Sequence, residues 1–326
     1  MRRAVCTAIA LVTLLGSASA SWALQKPGRT QVRPAPITAL GLTHASIAFA
    51  VGRTKSDCDH VELWNTDSFG TWRLGRKRPC GDLPLFSGIG PIGVATNRVV
   101  WVSFAGGNLT DWQLWTATTK RKTPRRLRFV EQDTSDPPPI VVGPGTERAI
   151  PYAVGDEVTW LGDDGVAIFR THTPSDVRAL TSTASTGCPQ SWCVAALLAS
   201  GDVIALDATG ATQATFPFGP GEVRWVGLAP HGVVVQLPGA RVEILNGTST
   251  NTVQLRPNAI VVDYAEGRIL YRVGQSFWLH QVGSGAETLI LQGSRKRPIT
   301  ASLDTHGLAW TQDSKVHWAC ASCLER

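Results

Sequence analysis

Six of the seven cysteines fall into pairs whose members lie close together in the sequence. The pairs are Cys58 with Cys80, Cys188 with Cys193, and Cys320 with Cys323. Thiols at such short separations can form disulfides, hold a metal ion or act as a redox couple. An even number of cysteines in an exported chain favours disulfides, and three local bridges are the simplest pairing. We therefore predict three local disulfides.

Two other uses of these cysteines stay open at this point. A redox couple at Cys320 and Cys323 would need a first sulfur at the N-terminus of a helix, but this pair follows a predicted strand. A zinc site made from Cys58, His60 and Cys80 would need a fourth ligand, which the nearby sequence does not offer.

Basic runs are the second chemically distinctive feature of the chain. They comprise Arg76, Lys77 and Arg78, then Lys120, Arg121 and Lys122, and finally Arg295, Lys296 and Arg297. We predict that the first and last runs attract an anionic partner, such as an acidic polysaccharide, phospholipid headgroups or an acidic protein. A solvated surface that keeps the protein soluble is the alternative interpretation.

Catalytic signatures are missing from the sequence. It contains no H-E-x-x-H, no G-x-S-x-G and no phosphate-binding loop. The seven histidines are dispersed, and His60, His280 and His317 fall in predicted strands, where neutral histidines on a half-buried sheet face are the default. We therefore predict no catalytic residue, no cofactor and no metal-binding residue.

The N-terminus has the features of a targeting segment. Arg2 and Arg3 are followed by the apolar run Ala4–Leu15 and by small residues that end at Ala20. This pattern is typical of a secretory signal peptide, and the run is short for a membrane anchor. We expect residues 1–24 to be the signal peptide, with an uncleaved anchor as the alternative. The mature chain is then expected outside the cell or in the cell envelope.

The net charge of the mature chain gives little support to nucleic-acid binding. Loss of Arg2 and Arg3 lowers the formal net charge from +6 to 6 − 2 = +4. Such a mildly basic chain, exported from the cell, does not indicate a nucleic-acid partner. No later apolar run is long enough to span a membrane.

The segment Asn258–Leu291 shows which elements organise the chain. Short apolar and alternating runs are separated there by turns at Ala265–Gly267, Gly274–Ser276 and Gly283–Gly285. This pattern predicts a meander of four antiparallel strands. A sheet of this size cannot bury both of its faces, so it needs similar sheets packed beside it.

The same unit recurs along the chain with a period of roughly forty residues, the spacing expected of propeller blades. We assign the innermost strands to Ile37–Leu42, Ile89–Ala95, Pro139–Gly143, Val177–Ala184, Val223–Ala229, Ala259–Tyr264 and Pro298–Leu303. The fold is therefore predicted to be an all-β, seven-bladed β-propeller of four-stranded antiparallel blades, spanning residues 37–326. Residues 25–36 form a lead-in, and its strand near Thr30–Arg33 supplies the missing fourth strand of the last blade and closes the ring.

The meander also places the basic runs. The runs at 76–78 and 295–297 fall in connections between blades and therefore share a face. The run at 120–122 belongs to a hairpin between third and fourth strands, on the opposite face or the rim. Most tryptophans fall in or beside strands, and we interpret them as packing between blades.

At the level of this pattern, the chain resembles the exported bacterial β-propellers of the TolB-like and WD40-like repeat group, although the Gly-His…Trp-Asp signature is absent. Gly201–Gly210 resembles a repeat of quinoprotein dehydrogenases and outer-membrane assembly propellers, and Asn65–Trp72 resembles the aspartate box of sialidases. Each segment also contains the Asp or Asn and Gly residues that tight hairpin turns favour.

A secreted or envelope-associated, non-catalytic propeller that binds a protein or another ligand is the leading functional hypothesis. We expect a monomer whose partner is a protein or an anionic component of the cell envelope. The alternative is a propeller enzyme, a hydrolase, lyase or quinoprotein, with its site at the axial mouth. That alternative predicts carboxylates, histidines or arginines converging on the channel, whereas an apolar channel counts against it.

Overall fold

A computed structural model describes residues 28–77, 79–80, 86–182, 192–229, 232–296 and 298–324, with the side chain of Cys323 left out. The predicted signal peptide lies outside these residues. Within them, every strand belongs to one of seven four-stranded antiparallel sheets, the blades. This confirms the predicted seven-bladed, all-β propeller.

The strands, numbered in chain order, have the following bounds. β1 is Arg29–Val32, and blade 1 contains β2 (Ile37–Thr43), β3 (Ser46–Val51), β4 (His60–Asn65) and β5 (Thr71–Leu74). Blades 2 and 3 contain β6 (Phe86–Val94), β7 (Arg98–Gly106), β8 (Leu109–Thr118), β9 (Arg125–Asp133), β10 (Ile140–Val142), β11 (Ala149–Val154), β12 (Glu157–Gly162) and β13 (Ala167–His172). Blades 4 and 5 contain β14 (Val177–Ser182), β15 (Val194–Leu198), β16 (Val203–Leu206), β17 (Thr212–Phe216), β18 (Trp225–Ala229), β19 (Gly232–Leu237), β20 (Arg241–Leu245) and β21 (Thr250–Gln254). Blades 6 and 7 contain β22 (Ile260–Ala265), β23 (Arg268–Val273), β24 (Ser276–Gln281), β25 (Glu287–Gln292), β26 (Ile299–Leu303), β27 (Gly307–Gln312) and β28 (Lys315–Cys320).

Helical structure is scarce among the described residues. A single turn of 3-10 helix spans Pro238–Ala240, and the short helix α1 spans Ala321–Leu324. Neither comes near the length and apolarity that a membrane-crossing helix requires, and no other helix occurs among the described residues.

The ring closes through the N-terminal lead-in, as predicted. β1 pairs with β28 and completes blade 7 in the order β1-β28-β27-β26. Thr30 Oγ1 lies 2.9 Å from Nδ1 of His317, and the Arg33 Nε–H donates to Oε2 of Glu62 in blade 1 at 2.6 Å. These contacts tie the two ends of the chain together and cover a sheet edge that would otherwise stay unpaired.

Glu62 holds the lead-in through its ion pair with Arg33. Burial by itself would raise the pKa of the Glu62 carboxyl, but hydrogen bonds from His60 and Arg33, together with the charge of Arg33, outweigh it and lower this pKa. The glutamate therefore stays ionised and keeps its ion pair with the lead-in.

The apolar core is divided into layers, one between each pair of neighbouring blades. Between blades 7 and 1, for example, Phe49, Trp64, Ala309 and Val316 pack together and are exposed by 1% or less. The layers explain the repeat, because each blade buries its two faces only against its neighbours. Tryptophans in several layers confirm the interpretation that they pack between blades, namely Trp64, Trp101, Trp160 and Trp310.

Blade 2 departs from the predicted pattern. Its strands are nine or ten residues long, whereas strands in the other blades have three to seven residues. The ladder between its third and fourth strands extends as far as the pair Leu109–Asp133. Polar residues such as Thr110 and Asp111 interrupt the apolar alternation there, and a sheet can accept them where its faces reach solvent.

Candidate functional site

The meander gives the propeller two distinct faces. Loops between second and third strands, and the connections between blades, lie on one face, here called the connection face. The turns that join first to second strands and third to fourth strands lie on the opposite face, here called the turn face. A candidate site can lie in the axial channel, on either face or on the outer rim.

Most of the side chains that line the axial channel are apolar. The first strands of all seven blades surround it, and the described part holds a cavity of about 210 Å³. Its lining includes Leu40, Ile92, Val142, Leu180 and Val226. An apolar lining counts against the predicted alternative of a propeller enzyme with converging charged groups.

Asp263 is the single titratable residue among the described residues that line this cavity. Its Oδ1 accepts a hydrogen bond from the Tyr264 N–H at 2.9 Å, and its Oδ2 accepts from the Leu303 N–H at 2.8 Å and from the Ser302 hydroxyl at 3.0 Å. Burial raises the pKa of the Asp263 carboxyl to about 6, although these hydrogen bonds act in the opposite direction.

The geometry assigns Asp263 a structural task. Its Oδ2 joins blade 6 to blade 7, because Ser302 and Leu303 belong to β26. General acid–base chemistry on a bound substrate normally needs a second titratable group nearby, and the described lining supplies none.

The cysteines follow the prediction where the structure describes them. Cys58 and Cys80 form a disulfide with their Cα atoms 4.9 Å apart, linking the loop after β3 to the connection that leaves blade 1. The zinc alternative at Cys58, His60 and Cys80 is wrong, because both sulfurs are used in this bond. Cys193 and Cys320 are also disulfide-bonded. Cys188 and the side chain of Cys323 lie outside the described part, so their pairing stays a prediction.

The predicted basic runs lie on exposed connections. Arg76 and Lys77 follow β5, and Arg295 and Lys296 precede β26; all four side chains are exposed. Arg78 and Arg297 lie outside the described residues. No hydrogen bond or ion pair joins the described residues of the two runs, and their common partner stays a prediction.

The run at 120–122 lies closer to the first basic run than expected. The Gly75 N–H donates to the Lys122 carbonyl oxygen at 2.7 Å, which joins the end of blade 1 to the third-to-fourth-strand turn of blade 2. Exposed basic side chains therefore gather on the outer rim between blades 1 and 2. This basic rim consists of Arg76, Lys77, Lys120, Arg121, Lys122, Arg125 and Arg126. None of these side chains forms an ion pair with a described acidic residue.

The extended part of blade 2, here called the raised sheet, stands above the connection face. At a rise of about 3.3 Å per residue, three or four extra residues lift it by roughly 10 Å. On one side, the rings of Phe86 and Phe104 lie 4.9 Å apart, and those of Phe104 and Trp112 lie 5.4 Å apart. On the other side, Leu109 and Phe129 are about half exposed, at 55% and 48%. Exposed apolar groups of this kind are typical of interaction surfaces.

A histidine–glutamate–histidine cluster lies on the turn face, and the sequence did not predict it. His44, Glu147 and His306 come from the first-to-second-strand loops of blades 1, 3 and 7. Nδ1 of His44 lies 2.9 Å from Nε2 of His306 and 3.1 Å from Oε1 of Glu147. One feature of the sequence could have indicated this cluster: all three positions fall in equivalent loops, which the meander directs to the same face.

Comparisons with known proteins show the fold but no family. No protein-family model matches the chain, and no curated protein matches it. Solved structures do match. One chain in the crystal structure of the mitotic checkpoint complex superposes with a TM-score of 0.55 at 12% identity, covering 98% of this chain and 99% of that one.

Two further structures lead to the same conclusion. The WD40 β-propeller domain of Doa1 has a TM-score of 0.53 at 8% identity, with 90% of this chain and 95% of that chain covered. Raptor from Chaetomium thermophilum has a TM-score of 0.55 at 12% identity, but this chain covers 28% of its length. The neighbours support the WD40-like part of the resemblance. The TolB-like relationship and a bacterial origin stay predictions.

Proposed function

We propose that this protein is an exported, non-catalytic binding propeller, and that its second blade holds an acidic protein partner. The observation that carries the proposal is the basic rim between blades 1 and 2, which gathers seven exposed cationic side chains without a described acidic partner. Such a concentration of one sign of charge attracts an opposite charge and speeds its association.

The raised sheet favours a protein over a simple anion. β9 begins in the basic rim at Arg125 and Arg126 and continues into the raised sheet at Phe129, where the Arg126 guanidinium lies 5.3 Å from the phenyl ring. Charge and exposed aromatic surface therefore lie along one strand. Protein interfaces combine aromatic anchors and arginines in this way, whereas a free anion needs no apolar anchor of this kind.

Export and the absence of catalysis rest on separate observations. The predicted signal peptide and the Cys58–Cys80 disulfide both suit an oxidising compartment. The apolar axial cavity with its lone carboxylate supports a binding role over the enzyme alternative. WD40 propellers among the structural neighbours, such as that of Doa1, provide a precedent for the fold alone.

The test compares two variants that remove equal charge. Arg121→Gln with Lys122→Gln alters the basic rim, and Arg178→Gln with Arg224→Gln removes two exposed charges from blades 4 and 5. Binding of a fluorescent polyglutamate peptide, followed by anisotropy, should weaken about fivefold in the rim variant, because two exposed ion pairs contribute together about 1 kcal/mol. The control variant should keep the affinity of the wild type.

Three outcomes would contradict the proposal. Equal losses in both variants would show that binding follows net charge and has no local site. No loss in either variant would exclude the basic rim. Binding to phosphatidylglycerol vesicles in preference to the peptide would assign the rim to a membrane surface and remove the protein partner.

A further inference from the structure

The histidine–glutamate–histidine cluster has the donor set of a transition-metal site. Two imidazole nitrogens and one carboxylate oxygen lie within 4.8 Å of one another. Imidazole suits zinc, copper, nickel and iron, and carboxylate completes many such sites. Magnesium and calcium prefer oxygen ligands alone, so this donor set discriminates against them. The cluster has no part in the basic rim or in the raised sheet.

The backbone places the first ligand at a conformational cost. His44 adopts a φ of +50° in the two-residue turn between β2 and β3, in the left-handed region that favours glycine. A two-residue hairpin turn requires this conformation, and here a histidine occupies it. The turn aims the imidazole of His44 between the other two residues of the cluster.

The second ligand comes from a loop that spans a whole blade. Residues 143–148 leave blade 3 and cross blade 2, where the Thr96 hydroxyl donates to the Glu147 carbonyl oxygen at 2.9 Å. The Thr43 hydroxyl of blade 1 donates to the Gly145 carbonyl oxygen at 2.8 Å. A Cβ at Gly145 would collide with the carbonyl oxygen of Val94, so the close crossing requires glycine there. The loop is thus fixed on both sides of Glu147.

The third ligand is oriented by its own turn. Both the His306 N–H and the Gly307 N–H donate to Oδ1 of Asp304 at 2.8 Å. Nδ1 of His306 lies 2.8 Å from Oγ1 of Thr305. If this nitrogen carries the proton and donates to the hydroxyl, Nε2 keeps its lone pair and faces His44. A hydrogen bond to the remote ring nitrogen is the usual way in which proteins orient a metal-binding histidine.

The separations fit an ion after small movements. Ligand atoms at 2.0–2.1 Å from a tetrahedral zinc ion lie about 3.3 Å apart, compared with 2.9 Å between the two nitrogens and 3.1 Å between nitrogen and oxygen in this cluster. Around an ion, these two donor pairs would separate by a few tenths of an ångström. The third pair, Nε2 of His306 and the Glu147 carboxylate, lies within 4.8 Å. The His44 side chain is 41% exposed and that of Glu147 is 25% exposed, which leaves room for this adjustment and for a fourth ligand.

We propose that His44, Glu147 and His306 bind a divalent transition-metal ion of the zinc class, with the fourth position open to water or to a donor from another molecule. The bound ion connects blades 1, 3 and 7. It therefore spans the closure between the first and last blades, and it stabilises the closed ring by mass action because the unfolded chain does not assemble the three ligands.

The experiment uses the full chain purified without a histidine tag and stripped with a chelator. Titration with ZnCl₂ in a calorimeter should show one site per chain, and the melting temperature should rise with Zn²⁺ and fall again with EDTA. Magnesium at the same concentration should produce no shift. Co²⁺ in place of Zn²⁺ should give the visible absorption of a tetrahedral nitrogen–oxygen site.

The variants separate ligation from folding. His44→Gly removes a ligand and suits the left-handed backbone, and Glu147→Gln keeps the size of the side chain; each should weaken Zn²⁺ binding by at least about a hundredfold, because losing a partner of a ligand alone costs ten- to a hundredfold. His172→Gln is the matched control, since His172 pairs with Asp156 at 3.4 Å on the surface and belongs to no cluster of three such groups among the described residues. The wild type failing to bind Zn²⁺, or His44→Gly binding it as tightly as His172→Gln, would overturn the proposal.

Discussion

Replacing Asp263 by asparagine should change how the stability of the propeller depends on pH. The carboxyl lines the axial cavity and accepts three hydrogen bonds, two of which join blade 6 to blade 7. Asparagine keeps nearly the same shape, but it has one acceptor oxygen and cannot ionise. The variant therefore loses a hydrogen bond at every pH. It also avoids the free-energy cost of keeping a charged group in the channel.

The size of the pH effect follows from the pKa. Burial raises the pKa of the Asp263 carboxyl from 3.8 to about 6. Each pKa unit corresponds to about 1.4 kcal/mol, so the full effect is about 3 kcal/mol. Because the side chain lines a cavity that can hold water, this is an upper value.

The direction of the pH effect follows from the number of protons that the folded and the unfolded chain bind. Below pH 3.8 the carboxyl is protonated in both the folded and the unfolded chain, and it adds no pH dependence to the free energy of unfolding. Between 3.8 and about 6 the folded chain keeps a proton that the unfolded chain has released. The free energy of unfolding of the wild type therefore falls as pH rises through this window, and the loss is complete above it.

Urea unfolding at about pH 4 and about pH 7 tests this reasoning. The difference in unfolding free energy between Asp263→Asn and the wild type should shift by 2–3 kcal/mol in favour of the variant, roughly the whole effect derived from the pKa. Asp67→Asn, at an exposed position, is the control and should show no such shift. The same difference for Asp263→Asn at both pH values would refute the argument.

Three further perturbations test the closure and the loops. Replacing Cys58 and Cys80 by alanine should lower the free energy of unfolding in urea by about 3 kcal/mol, because the bridge closes a loop of 22 residues; an unchanged midpoint would contradict this. Arg33→Ala should cost about 2 kcal/mol, because it leaves a half-buried glutamate without its ion pair, and thermal melting should show it. Gly145→Ala should cost about 2 kcal/mol through the clash with a neighbouring carbonyl, whereas Gly107→Ala, which meets no atom within 4 Å, should melt like the wild type.

The repeat could be predicted from the sequence because each strand and turn depends on residues that are neighbours in the chain. In Asn258–Leu291, each strand is a short apolar or alternating run and each turn has a glycine, and the structure places strands and turns there as expected. The Glu266–Gly267 turn shows the reason: both residues have positive φ, which a tight hairpin requires and which glycine provides. The closing strand at Thr30 was also predictable, because the last blade lacked its fourth strand.

In blade 2, the local residue pattern was not enough to predict the length of the strands. Its extra residues alternate weakly, so nothing in the sequence separated Thr110 and Asp111 from a loop. The ladder between β8 and β9 continues through them because backbone hydrogen bonds form whatever the side chains are. The basic rim could not be predicted for a related reason, since the contact between Gly75 and Lys122 joins segments almost fifty residues apart.

The sequence by itself determined the number of blades, the antiparallel meander, the closure by the N-terminal strand and the Cys58–Cys80 bridge, because each depends on neighbours in the chain or on the regular repeat. Only the tertiary structure decided that the channel is apolar around Asp263, and that His44, Glu147 and His306 meet. These three residues are separated by up to 262 positions and come from three blades. Their distances depend on how the ring closes and on how one loop crosses a blade, and no local pattern of residues encodes either property.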